Sequence, residues 1–247
     1  MGKQKVDVNF IKDSFSGAET VELYKEAVIE VGLWKSEKIV FQKFLQPTDH
    51  ILDIGCGAGR TTFGLYNLGF HCIEGLDLSE KMILEARRHD LGDQIPFHVG
   101  NATNLNFEDE SFGGVIFSFN GLMQIPKKEN RQKALQEINR ILEVGGYFIF
   151  TTHDRMDSMY LSYWNEEAKR WQKGQQNPRL HEFGDMIIKN DHRELFLHFP
   201  TKKEVIQLIH STGFKLVESQ LRSEICEEPE MDETFSTNCI FWVIAKL

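Results

Sequence analysis

The 247-residue chain is 41% hydrophobic and 26% charged, enough to bury one sizeable core as a single domain, and its 28 basic against 37 acidic side chains leave a formal net charge of −9. A nucleic-acid backbone would have to bind against that field, which disfavours RNA or DNA as a partner. The longest apolar runs, GGVIF around residue 115 and IFWVIA near the C-terminus, fall far short of the roughly 20 residues needed to span a bilayer, so no membrane segment is expected.

The opening MGKQKVD has no apolar signal core, and Val6 stands where a myristoylation motif requires Ser or Thr, so a cytoplasmic location is expected. Cys56, Cys72, Cys226 and Cys239 show no CxxC pairing and no ligand spacing with the histidines; reduced thiols and no metal are expected. Oligomeric state is left open by the sequence.

Helical periodicity comes first, with Val21, Tyr24, Val28 and Val31 on one stripe and Ile39, Val40, Phe44 and Leu45 on the next, the second capped by Ser36. After Pro47, short apolar runs alternate with amphipathic stretches. Strands are predicted at 50–54, 70–76, 96–99, 114–119, 147–152, 214–219 and 238–246, and helices at 60–68, 79–90, 130–142 and 201–211. Such alternation predicts an α/β fold, a doubly wound, mostly parallel sheet covered on both faces. Two segments interrupt it: residues 153–200, and the acidic stretch EICEEPEMDE at 224–233.

Between the first strand and the next helix the chain reads ILDIGCGAGR, residues 51–60. Gly55, Gly57 and Gly59 let the backbone turn sharply and approach a ligand without a Cβ in the way. The dinucleotide fingerprint GxGxxG would need glycine at position 60, where this chain has Arg60, which weakens a nicotinamide or flavin reading. Asp77 follows about 20 residues after the loop, at the end of the second strand, where a carboxylate accepts from both ribose hydroxyls. Cys56 reads as a small filler.

Strand, DIGCGAGR, acidic residue after the second strand and GNATNL after the third together resemble class I S-adenosylmethionine-dependent methyltransferases. The resemblance is strongest over 47–152 and extends through EINRILEVGGYFIF (137–150), residues 199–218 and the C-terminal strand. It implies a seven-stranded sheet of order 3214576 with the last strand antiparallel, and S-adenosylmethionine bound across the ends of strands one and two. One domain is then expected, made of an N-terminal helical segment (1–46), a cofactor-binding core (47–152), a lid-like cover (153–200) and a C-terminal helix and hairpin (201–247). Asp53, Gly55 and Gly57 would line the methionine end, with Arg60 at its carboxylate. Asp77 would hold the ribose and Leu78 pack on the adenine. Asn101, where the family often has aspartate, would accept from the adenine amino group through its amide oxygen, and the Ala102 amide would meet a ring nitrogen. A second departure is Glu143-Val144 before Gly145-Gly146, where the family commonly has proline; it affects only a turn.

Transfer from a sulfonium needs mainly an in-line acceptor, so few catalytic groups are expected. Asn120 and Met123, after the fourth strand, are candidates to touch the acceptor or methionine tail, and His153 with Asp154 is a candidate acid/base pair. Tyr160, Tyr163, Trp164 and Trp171 form an aromatic stripe on the insertion, expected to complete an acceptor pocket or to pack the segment down. His181, His192 and His198 lack triad spacing and read as surface or packing residues. Glu224, Glu227, Glu228 and Glu230 are expected near the mouth, favouring a cationic or neutral acceptor. The expected function is methyl transfer to a small molecule. Transfer to RNA or protein, a non-catalytic cofactor-binding protein and a Rossmann oxidoreductase are the alternatives.

Overall fold

A computed structural model describes residues 4–189, 194–228 and 237–247. His192 and Glu230 lie outside them. Seven strands form the sheet: β1 (Ile51–Ile54), β2 (Ile73–Asp77), β3 (Phe97–Val99), β4 (Phe112–Phe117), β5 (Leu142–Thr152), β8 (Phe214–Leu221) and β9 (Ile240–Lys246). Their order is β3-β2-β1-β4-β5-β9-β8. The pairs among β1 to β5 are parallel, and β9 runs antiparallel to both β5 and β8. With two strands outside this sheet, β6 (Asp185–Lys189) and β7 (Glu194–His198), set aside, this is the expected 3214576 arrangement.

Alternation along the strands builds two cores. Leu52, Val115, Phe148, Phe150 and Trp242 face α6 (Lys128–Ile141) and α8 (Lys202–Ser211). Ile51, Ile116, Ile149, Phe241 and Val243 face α3 (Lys35–Phe44), α4 (Arg60–Asn67) and α5 (Glu80–His89). Among the described residues no helix is long and apolar enough to cross a membrane.

Trp34 and not Ser36 is the N-cap of α3, because the Glu37 carboxylate accepts the Trp34 N–H at 3.0 Å and closes the first turn from inside. The insertion folds as α7 (Ser158–Gln172) and a separate hairpin, β6 (Asp185–Lys189) with β7 (Glu194–His198). Of its aromatic stripe, Trp164 is buried against Phe183 and Phe199, and Tyr160 packs on His153 and Phe199. The stripe therefore anchors the insertion to the core. Glu228 is also turned inward: its two oxygens accept the Lys35 and Ser36 N–H groups at 3.0 and 2.9 Å, capping α3 instead of standing at a cavity mouth.

Two helices precede α3: α1 (Val8–Ser16), whose N-terminal amide at Phe10 is capped by Asp7 at 2.9 Å, and α2 (Ala18–Glu30). Val6, Ile11 and Phe196 form a small core of their own with Phe10, Phe15, Leu78 and Ile187 against it. Arg179 lies over the Phe10 ring, and the Val6 backbone bonds to Arg179 O and His181 Nε2. The hairpin and the segment before it thereby hold α1 across the carboxyl ends of the strands.

Candidate functional site

The glycine loop is left-handed at Gly55 (φ +66°) and Gly57 (φ +56°), and a Cβ on Gly55 would stand 2.6 Å from the Phe117 ring. Only glycine fits there without displacing that ring. The Gly55 and Cys56 N–H groups donate to Leu76 O at 2.7 and 3.1 Å, tying the loop to the end of β2. Next to this tie stands Asp77, whose Oδ2 accepts the Gly57 N–H at 3.0 Å and whose Oδ1 accepts the Ser79 N–H at 2.7 Å. Burial pushes its carboxyl up to about 6, against the two backbone donors, which act the other way.

These groups border a cavity of about 290 Å³. Gly55, Gly57, Asp77, Leu78, Asn101 and Ala102 all wall it, so six of the eight expected cofactor residues converge on one space. Val8, Ile11 and Phe15 of α1 roof it, with Tyr24 of α2 beside Gly57. The sequence pattern assigned no role to this roof. Its signal was Asp7 as a cap followed by apolar residues at 8, 11 and 15, a stripe barely two turns long.

Asp53 and Arg60 lie behind the wall. Asp53 is 1% exposed, takes the Thr62 hydroxyl at 2.6 Å, and is raised to about 7 by burial despite that bond and Arg60. Arg60, expected at the methionine carboxylate, is instead held by Glu37 through two bonds of 2.7 Å and by Gly32 O at 2.6 Å, with Trp34 stacked 5.0 Å from it. A fully buried Glu37 needs that cation, and this holds Arg60 away from the cavity. Asn101 Oδ1 accepts both the Thr103 N–H (3.0 Å) and its hydroxyl (2.9 Å), which leaves the amide NH₂ as the group with unspent bonding capacity.

Asn120, His153 and Tyr160 form one cluster behind cavity residues Phe119 and Gly121. Phe119 (φ +56°) and Asn120 (φ +60°) are consecutive left-handed residues, held by the Asn120 N–H donating to Thr151 Oγ1 at 2.8 Å. His153 Nδ1 bonds to Asn238 O at 3.1 Å and Nε2 to Asn120 Nδ2 at 3.2 Å, with Phe199 stacked 5.2 Å away. Burial lowers its pKa below the usual imidazole value. Asn120 Oδ1 is buried and has no partner among the described residues. Tyr160 shares a 2.7 Å hydrogen bond with Thr237 Oγ1, and its ring meets His153 edge-on. Asp154 turns away from this cluster, accepting the Met156 N–H at 3.0 Å.

A family model described as a methyltransferase domain matches residues 51–146, the span from β1 to the Gly145-Gly146 turn. Over that span the chain is similar to the class I S-adenosylmethionine-dependent methyltransferases. Over 146 residues it is 31% identical to the demethylmenaquinone methyltransferase of Symbiobacterium thermophilum, covering 55% of this chain and 56% of that one. An uncharacterized protein of Methanocaldococcus jannaschii is 33% identical over 140 residues, covering 57% and 49%. The chain thus spans about half the length of these curated relatives. A methyltransferase structure from Methanosarcina mazei shares the fold with a TM-score of 0.66 at 21% identity, covering 87% of this chain and 99% of that one. The family's methyl donor, S-adenosylmethionine, fits the donor set: bare glycine backbone, one carboxylate at the end of β2 and apolar walls beyond it.

Proposed function

We propose that the chain transfers the methyl group of S-adenosylmethionine to a small, largely apolar acceptor. The observation that carries this reading is Asp77: each carboxylate oxygen already accepts one backbone N–H and keeps a lone pair for one ribose hydroxyl, beside glycines that admit the methionine backbone. The bound cofactor supplies an activated methyl on sulfur, and the protein's share is to bind, orient and exclude water. Leu78 and Ala102 give the adenine an apolar slot, and the Asn101 amide NH₂ donates to a ring nitrogen. Gly55 and Gly57 take the methionine end. Asp53 and Arg60 stand behind them, Asp53 held by Thr62 and Arg60 paired with Glu37.

The acceptor's place follows from the β4 end. Both ring nitrogens of His153 are engaged, so it is a positioning residue that orients the Asn120 carboxamide. Asn120 Oδ1, buried behind Phe119 and Gly121, meets an O–H or N–H of the acceptor once those wall residues yield. Three observations support a small molecule: the apolar roof, the net charge of −9, and a demethylmenaquinone methyltransferase among the relatives. Incubating the protein with S-adenosylmethionine and a panel of phenols, quinols, amines and thiols, with S-adenosylhomocysteine as the readout, tests the reading. Turnover is expected with an apolar member. Turnover only with protein or RNA substrates would replace the small-molecule acceptor, and cofactor binding without turnover on any acceptor class would leave a binding protein.

A further inference from the structure

The candidate cavity has more polar groups on its wall than the cofactor reading uses. Among its serine, threonine and amide side chains, Asn101 accepts from Thr103, and Asn130 Nδ2 donates to Pro126 O at 2.9 Å. Ser118 and Gln124 wall the same cavity, and their side chains have no hydrogen-bond partner among the described residues. Ser118 is only 9% exposed, yet its Oγ is not sealed from solvent, and the space it borders is this cavity. A hydroxyl left unbonded at that depth marks a position where a ligand or water completes the bond. We propose that Ser118 and Gln124 hold a hydroxyl group of the methyl acceptor, and that this acceptor is a neutral, hydroxylated aromatic ring; the inference rests on the small-molecule reading above.

The place of the pair in the sheet assigns it to the acceptor and not to the cofactor. The cofactor contacts proposed above come from the glycine loop after β1, from Asp77 and Leu78 at the end of β2, and from Asn101 and Ala102 after β3. Strand β4 lies on the other side of β1. Ser118 directly follows β4, and Gln124 ends the single 3-10 turn Gly121–Gln124 that comes next. Both therefore stand on the flank of the cavity that the cofactor contacts leave open. They meet an acceptor before Asn120 does, since Asn120 Oδ1 is buried behind Phe119 and Gly121.

The chemistry of this flank sets the class of acceptor. A serine hydroxyl and a carboxamide each donate and accept, which matches an O–H that does both. Neither is charged, and their chain neighbours Phe117, Phe119, Ile125 and Pro126 are apolar, so an ionised acceptor group buried against them would lack a counter-charge. Phe15 meets Tyr24 edge-on at 5.8 Å, and Tyr24 meets Phe119 edge-on at 6.2 Å, so the wall carries a run of three rings. Such a surface takes a flat ring through stacked or edge contacts, with the hydroxyl turned to the polar pair.

The test measures methyl transfer from S-adenosylmethionine to phenol, catechol, hydroquinone and 2-naphthol, each beside the amine, thiol and carboxylic acid of the same ring. The hydroxylated member is expected to be preferred by at least about tenfold in kcat/KM, because a site built to bond a hydroxyl rejects the analogue that lacks it. Ser118→Ala and Gln124→Leu should each lower that kcat/KM by roughly tenfold and narrow the preference, with the affinity for S-adenosylhomocysteine in calorimetry unchanged. Gln124 is half-buried, so Gln124→Leu carries the test if Ser118→Ala does not fold. Loss of S-adenosylhomocysteine affinity in the variants would return the pair to the cofactor. A preference for the amine, thiol or acid, a hydroxyl preference that survives both substitutions, or no turnover of any ring would overturn the assignment and leave the small-molecule reading standing. Turnover confined to protein or RNA would instead remove that reading, and this inference with it.

Discussion

Gly57 donates its backbone N–H to Asp77 Oδ2 at 3.0 Å, across a sequence separation of 20 residues. This bond joins the two halves of the candidate cofactor site, because the residue that must lack a side chain also orients the residue that must keep its charge. It also explains why Asp77 remains available: the Gly57 and Ser79 N–H groups each take one lone pair, one on each oxygen, and leave one on each for a ligand.

Burial raises the Asp77 carboxyl to about 6, so its charge changes in an accessible pH window. The ionised form is the better acceptor for ribose hydroxyls. Affinity for S-adenosylhomocysteine is therefore expected to rise between pH 5 and pH 7 and then level, and Asp77→Asn should flatten that rise. Calorimetry across the range checks it; an equally steep profile in Asp77→Asn would assign the titration elsewhere.

Asp53 makes a stability prediction. Its folded value of about 7 lies above the ordinary 3.8, chiefly through burial, so the folded state binds more protons than the unfolded state between those values. Stability is then lost as pH rises through that window. Asp53→Asn keeps an oxygen for Thr62 and removes the charge. It should raise stability by about 1–3 kcal/mol at pH 8 and by much less at pH 5. Denaturant melts at the two pH values decide it, and a variant less stable at pH 8 than at pH 5, relative to wild type, would contradict it.

The Arg60–Glu37 pair is buried and bidentate. Arg60→Met leaves Glu37 as an uncompensated buried charge and should cost about 3–5 kcal/mol, whereas adding Glu37→Leu should restore most of it. Both variants, where folded, should bind cofactor with little change, since neither residue walls the cavity. A large affinity loss in the folded double variant would return Arg60 to the methionine carboxylate.

Roof and insertion separate in mutants. Phe15→Ala removes a ring from the cavity wall and should weaken cofactor binding by about 1–3 kcal/mol. Tyr163→Ala, on the exposed side of α7, should leave affinity within about 0.5 kcal/mol. Trp164→Ala should cost about 3–5 kcal/mol of stability, as expected for a side chain 3% exposed in the core. Melting curves and cofactor titrations on the three proteins check the pattern; a roof variant with unchanged affinity would contradict it.

What was legible in the sequence was local. Strand, glycine loop, helix and Asp77 lie within 27 residues of one another, so their pattern carried both the fold and most of the residues that line the candidate cavity. The rest depended on partners far along the chain. Arg60 was misplaced because Glu37, 23 residues earlier, lies under the loop only once α3 has packed. The roof was missed because α1 gains its partner Phe196 from the hairpin. The hairpin itself went unseen because β6 is half exposed, its Ile188 being 41% accessible, and lacks the continuous apolar run of the central strands. Asn101 could not show that its own Thr103 would occupy its oxygen.

The most direct test of the central claim is calorimetric titration of S-adenosylhomocysteine into wild type and Asp77→Ala at pH 7.5. The structure predicts one site per chain in wild type and an affinity weaker by about 1–3 kcal/mol in the variant, the scale of hydrogen bonds to a charged acceptor. No binding to the folded wild type, or equal affinity in both proteins, would contradict the assignment of this cavity to the cofactor.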